Sequence, residues 1–197
     1  MGEVDDAVAA LGTGKPVVIP TDTVYGLCAS PYRPEPVRLL AKLKGRDDSQ
    51  PIALVASDLD LLFECVPELR GRAGTIARAL LPGAYTLILP NPARRYRWLT
   101  GAAPETIGVR VPAVDGPAKQ VLDAVGAVAA TSANAHGGGD PRRLDDVPEE
   151  IRAAVAAVVD GGELPGTAST VVDFTGPEPR IVREGAGDAA RALAAAG

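Results

Sequence analysis

Apolar and polar positions follow one another in short blocks along this chain, and the period of each block predicts its element. Val4, Ala7, Val8 and Leu11 recur at helical spacing over Glu3 to Leu11, and Gly12 and Gly14 end that helix. An apolar strand is predicted at 17–19, stopped by Pro20. Pro34 to Lys44 places Val37, Leu40, Ala41 and Lys44 on one side of a helix, with Gly45 beyond its end. Ile52 to Val55 reads as a strand, Ser57 as the N-cap of a short helix, and Pro67 to Leu81 as a helix closed by Pro82-Gly83. Strands at 85–89, 107–111 and 128–131, a helix at 117–125, a helix near 148–155, strands at 156–159, 170–174 and 180–183, and an Ala-rich final helix complete the pattern. About eight strands interleaved with six helices predict an α/β or mixed α+β fold, a twisted sheet covered by helices. The strands at 170–174 and 180–183 are joined by so few residues that part of the sheet must be antiparallel, so the sheet is expected to be mixed.

Length adds one bound: 197 residues make one well-buried core, and a single domain over 1–197 is expected. The net charge of −5 argues against a protein that grips long nucleic acid through its phosphates, though a local basic pocket is compatible with it. Two cysteines, Cys28 and Cys65, and one histidine, His136, are too few for a Cys/His zinc site, and the cysteines read as buried free thiols. The acidic amino terminus lacks a signal-peptide pattern and no apolar run reaches membrane-span length, so a cytoplasmic protein without membrane contact is expected. Phosphate-loop, complete dinucleotide-binding, nucleophile-elbow and H-E-x-x-H signatures are all missing.

Polar clusters at strand ends are what remain. Thr21, Asp22, Thr23 and Tyr25 crowd the mouth of the strand at 17–19, where they form either a hydrogen-bonded turn or part of a site. Lys42, Lys44 and Arg46 lie at and beyond a helix end, where cations also serve as a cap. Thr106 and Arg110 fall on one face of a strand with Gly108 between them, and Arg110 needs an anionic partner from the protein or from a ligand. Thr131, Ser132 and Asn134 follow the buried run Val128 to Ala130; Ser169 and Thr170 open another strand, and Arg183 closes a third. Pooled, these clusters describe a cationic, hydroxyl-lined cleft for a small polyanion. Arg94, Arg95, Tyr96, Arg97 and Trp98 form either a solvated loop or a nucleic-acid patch.

Taken in order, PTDTVYGL at 20–27, Lys44 and Arg46 ahead of Pro51, LPGAYTLIL at 81–89, TIGVRVP at 106–112, Ser132 and Asn134 in TSAN, STVVD at 169–173 and IVREG at 181–185 resemble the YrdC family of threonylcarbamoyl-AMP synthases over nearly the whole chain. The resemblance implies a twisted mixed sheet around a concave, positively charged cavity. It implies a nucleotidyltransferase that makes threonylcarbamoyl-AMP and pyrophosphate from L-threonine, bicarbonate or CO2, and ATP carrying Mg2+. A separate complex would then transfer the group to tRNA, which this chain would meet only indirectly or weakly. By similarity Lys44 and Arg46 would be catalytic, and Arg46, Gln50, Thr106, Ser132, Asn134 and Arg183 would hold ATP. Thr23, Arg110 and Ser169 would hold L-threonine, and no residue is assigned to a metal. Three departures stand out: Asp47 where Pro is common in the family, Gln50 where Asn or Lys is usual, and Asp140 where a Ser often lies near ATP, so Asp140 is left out of the site. The chain ends soon after Arg183, so the extra carboxy-terminal domain of longer relatives is not expected. The competing readings are a non-catalytic module for double-stranded RNA or tRNA, and a carbamoyl-transfer relative whose zinc-finger and acylphosphatase modules are absent here.

Overall fold

The computed structural model describes residues 2–45, 47, 49–135 and 137–196. Among them nine strands form one mixed sheet: β1 (Val17–Ile19), β2 (Gly26–Ala29), β3 (Ala53–Ala56), β4 (Tyr85–Pro90), β5 (Thr106–Arg110), β6 (Ala127–Ser132), β7 (Ala157–Val158), β8 (Thr170–Asp173) and β9 (Arg180–Arg183). Their order is β7-β1-β2-β6-β3-β5-β4-β8-β9. The pairs β1–β7, β3–β5 and β4–β8 are parallel and the rest antiparallel, including β8–β9 as its short connection requires. The helices are α1 (Glu3–Gly12), α2 (Pro34–Lys44), α3 (Leu59–Cys65), α4 (Gly71–Leu80), α5 (Gly116–Val125), α6 (Glu149–Ala154) and α7 (Ala189–Ala194). Among the described residues no helix is long and apolar enough to cross a membrane.

The sheet is covered by helices along the whole of one face but along only part of the other. One face presents Val18, Leu27, Leu54, Leu87, Val109 and Val172 to α2, α3, α4, α6 and α7, which supply Leu40, Leu62, Ile76, Leu80, Ile151 and Ala192. The other presents Val17, Ile19, Cys28, Val55 and Val128 to Ala7, Leu11, Val121 and Leu122 of α1 and α5. Those two helices cover only the β1 side of that face. Towards β8 it continues uncovered as Ala53, Gly108, Thr86 and Val171, and this bare half of the sheet is the floor of a cavity.

Three sequence expectations change. The strand β2 was not anticipated: GLCA is short, buried throughout and too rich in small residues to show a period. The N-cap of α3 is Asp58, not Ser57, its Oδ1 accepting from Leu61 N at 2.8 Å while Ser57 Oγ donates to Oδ2 at 3.0 Å. A carboxylate gains more at a helix N-terminus than a hydroxyl does, and the Leu61 N–H holds Asp58 below the ordinary carboxylate pKa. The helix expected from Pro67 begins at Gly71, because 67–70 form a turn in which Arg70 Nε donates to the Pro67 carbonyl at 2.8 Å. Of the thiols, Cys28 is buried and pushed up to about 12 by desolvation, whereas Cys65 is only partly buried.

Candidate active site

The cavity has a volume of about 520 Å³. Its floor follows the strand register: Ala130 lies opposite Ala53, Gly108 opposite Ile88, and Ile88 opposite Asp173, with Thr106 and Arg110 on the same side of β5 as Gly108. Small side chains under the centre leave space, and polar ones stand at the edges.

The turn between β1 and β2 forms one edge. Thr21 Oγ1 accepts from Thr23 N and Val24 N at 3.2 Å each and donates to the Val24 carbonyl at 2.7 Å, so Thr21 is the turn-maker. That frees the neighbouring side chains to face Arg110. Arg110 Nη2 is paired with Asp22 Oδ1 and lies 2.8 Å from Oγ1 of the fully buried Thr23. Asp22 Oδ2 in turn accepts from Ala113 N at 2.9 Å. The anion that Arg110 requires is thus built into the turn, and the buried Nε of Arg110 has no partner among the described residues.

A strap over residues 160–168 holds this turn from above. Gly166 N donates to the Thr23 carbonyl at 2.9 Å, and the Tyr25 hydroxyl lies 2.9 Å from Asp160 Oδ1 and 2.8 Å from the Gly162 carbonyl while accepting from Gly161 N at 3.0 Å. Arg142 pairs with Glu163 at 2.7 Å, which ties it to the strap rather than to Asp140. Burial pushes Tyr25 up to about 12, with the Gly161 N–H opposing and Asp160 adding to the rise. A folded-state pKa above the ordinary tyrosine value of 10.0 means that the stabilisation is whole below pH 10 and is lost as pH climbs towards 12. Tyr25→Phe is therefore expected to cost about 1–2 kcal/mol at neutral pH, by urea unfolding, with the gap to wild type closing between pH 10 and 12. A gap independent of pH over that window would refute this role for the phenol.

At the opposite edge Lys44 does not cap its helix; Gly45 does so in the left-handed conformation, its N–H directed at the Ala41 and Lys42 carbonyls. Lys44 instead reaches β6, where Nζ donates to the Ser132 carbonyl at 2.5 Å, to Ser132 Oγ at 3.1 Å and to Asn134 Oδ1. Ser132 Oγ donates to Asn134 Oδ1 at 2.7 Å, and Asn134 Nδ2 to the Gly138 carbonyl at 2.6 Å. Lys44 and Asn134 are buried behind Ser132, which lines the cavity. Arg46 lies outside the described residues. Gln50 is exposed, between Ser49 and Pro51, which line the cavity.

The third edge is β8 and β9. Ser169 is buried, Thr86 and Ser169 share a hydroxyl hydrogen bond of 2.8 Å, and Arg183 Nη2 donates to the Ser169 carbonyl at 2.8 Å. Thr86 and Asp173 line the cavity although sequence reasoning gave them no role; both lie inside the motifs that carried the resemblance.

The segment after Trp98 closes the fourth side. Asn91 is fully buried and ties the loop together, with Nδ2 donating to the Arg95 and Pro104 carbonyls at 2.9 and 3.2 Å. Arg95 pairs with Glu68 at 2.7 Å, and Trp98 Nε1 donates to the Pro31 carbonyl at 2.7 Å, so the basic-aromatic stretch lies outside while Thr100, Ala102 and Ala103 form cavity wall. That wall meets residues 49–52 through Ala102 N to the Ser49 carbonyl at 3.0 Å and Ile52 N to the Leu99 carbonyl at 2.9 Å. Between these bonds is Gly101, at φ +57, where a Cβ would sit 2.1 Å from the Ser49 carbonyl oxygen. Gly101→Ala is expected to destabilise the fold by at least about 2 kcal/mol, measured as a lowered urea midpoint. An unchanged midpoint would mean that this wall is not rigid.

A sequence model of the Sua5/YciO/YrdC family, described as "Telomere recombination", matches residues 9–185. The chain belongs to that family. It is 32% identical over 180 residues to the threonylcarbamoyl-AMP synthase of Pyrococcus abyssi, covering 91% of this chain and 53% of that protein, so it spans about half the length of that relative. The crystal structure of P. abyssi Sua5 complexed with L-threonine superposes with a TM-score of 0.84 at 31% identity, over 94% of this chain and 55% of that one. Escherichia coli YciO gives a TM-score of 0.85 at 26% identity over 96% of this chain and 92% of its own. The mixed sheet flanked by helices is therefore the Sua5/YciO/YrdC fold.

Proposed function

We propose that this chain is an L-threonylcarbamoyladenylate synthase, a nucleotidyltransferase that joins L-threonine, bicarbonate or CO2, and ATP into threonylcarbamoyl-AMP with release of pyrophosphate. The observation that carries this reading is the presence, on the lining of one cavity, of an arginine held beside Thr23 and a lysine-backed hydroxyl at Ser132. A volume of about 520 Å³ suits a small molecule rather than a nucleic-acid duplex, which weighs against the RNA-binding module.

Arg110 offers its fork to the threonine carboxylate, with Thr23 and Ser169 as further contacts. Thr106, Ser132, Asn134, Gln50 and Arg183 hold ATP. Lys44 and Arg46 offset the charge that develops when a carbamate oxygen meets the α-phosphorus and pyrophosphate departs; one such donor is worth about 3 kcal/mol of barrier. The carbamate forms from free amine and CO2, so positioning two anions together is the main task of the protein. Mg2+ arrives on the ATP phosphates as part of the substrate. There it would be held mainly by phosphate oxygens and water. The product is a labile donor for adenosine modification in tRNA by a separate transferase complex, and the net charge of −5 suits a chain that need not hold tRNA itself.

Labelled bicarbonate incubated with the protein, ATP, magnesium and L-threonine is expected to enter an AMP-containing product that is absent when either threonine or ATP is omitted. Label incorporation without threonine, or none with all substrates present, would reject the proposal.

A further inference from the structure

We infer that Asp173 holds the nucleoside end of ATP in this cavity and thereby sets the direction in which the nucleotide lies, an inference that rests on the reading of the cavity as an ATP site. Among the described residues lining the cavity Asp173 is the only carboxylate. It stands on the floor row that runs Ala130, Ala53, Gly108, Ile88, Asp173, four strands away from the β6 strand that carries Ser132. At the usual strand spacing that separation is about 19 Å, the scale of an extended nucleoside triphosphate.

The two ends of the row differ in the groups they turn to the cavity. At the β6 end Lys44 backs Ser132 and Asn134, which favours phosphate. At the β8 end Arg183 is turned away from Asp173, onto the Ser169 carbonyl and hydroxyl. Asp173 is fixed in place: Oδ1 accepts from Thr175 N at 2.9 Å and from Thr175 Oγ1 at 2.6 Å, and Oδ2 accepts from Arg180 at 3.0 Å. Burial alone would raise its pKa, but the bonds from Thr175 and Arg180 outweigh that and keep it below the ordinary carboxylate value. An ionised carboxylate is an acceptor only, so even paired with Arg180 it offers a phosphate no donor and receives hydrogen bonds from hydroxyl or amino donors. Adenosine supplies such donors at its ribose hydroxyls and its 6-amino group; a triphosphate supplies none.

The test is calorimetric binding of ATP and of inorganic tripolyphosphate to wild type and Asp173→Asn. The variant keeps the shape of the side chain and is expected to bind ATP about tenfold more weakly while tripolyphosphate binds as tightly as before or tighter. Wild-type binding of 2′,3′-dideoxy-ATP and of ITP separates the two donors: a loss confined to the first assigns the ribose, and a loss confined to the second assigns the 6-amino group. ATP affinity unchanged in Asp173→Asn, or ATP and tripolyphosphate weakened equally, overturns the inference while leaving the ATP site standing. No ATP binding by wild type overturns both.

Discussion

Arg110→Ala is expected to lower kcat/KM for L-threonine by about 100-fold or more, since it removes the group proposed to grip the substrate carboxylate. The change has a second consequence because Arg110 is already committed to Asp22 and Thr23. Both partners of the Arg110–Asp22 pair are about nine-tenths buried, so removing the arginine strands a carboxylate, and a loss of about 3 kcal/mol in stability is expected. The double variant Asp22→Asn with Arg110→Ala should regain much of that stability and none of the activity. Arg110→Lys keeps the charge and loses the planar fork, and should fall between. The measurements are threonine titrations of the reaction and urea unfolding of each variant. A threonine KM unaltered in Arg110→Ala would remove Arg110 from the substrate site, whatever happens to stability.

Gly108→Phe is expected to do the reverse: to spare the fold and abolish binding. A Cβ at position 108 would meet only Thr86 Cγ2 at 3.8 Å and Ala53 Cα at 3.9 Å, ordinary contacts, and its backbone is that of a strand. An aromatic residue is favoured there over glycine by strand propensity. Its ring projects from the middle of the floor, between the edge with Arg110 and the edge with Asp173. Unfolding in urea should match wild type within about 1 kcal/mol, whereas ATP affinity should fall about 100-fold or more. Retained ATP affinity would mean that the nucleotide lies somewhere other than on this floor. The contrast with Gly101→Ala separates two uses of glycine: one leaves room for a ligand, the other lets two backbone segments touch.

Long periodic elements were legible in the sequence, and so was the face on which Thr106, Gly108 and Arg110 lie, because strand alternation determines it. The need of Arg110 for an anion was legible too, but not its source. Asp22 is 88 residues away, and only the folding of the turn onto β5 brings the two together. The strand β2 escaped notice for want of a period, and Asp58 displaced Ser57 because neighbouring cap candidates differ by less than a sequence pattern resolves. Thr86 and Asp173 sat within recognised motifs, yet their alternation with Tyr85, Leu87 and Val172 shows only that they face away from the core. That this side of the sheet is bare depends on where α1 and α5 stop, a tertiary fact. The wall at 99–103 had no period at all, and its signal was a glycine whose necessity appears only once Ser49 is beside it.

The most direct test of the proposed synthase is pyrophosphate release by the purified chain with ATP and magnesium, with L-threonine and bicarbonate supplied separately and together. Release that requires both is the expected result, and its loss in Arg110→Ala and Gly108→Phe would locate the reaction in this cavity. Release indifferent to threonine, or no release when all substrates are present, would contradict the proposed activity.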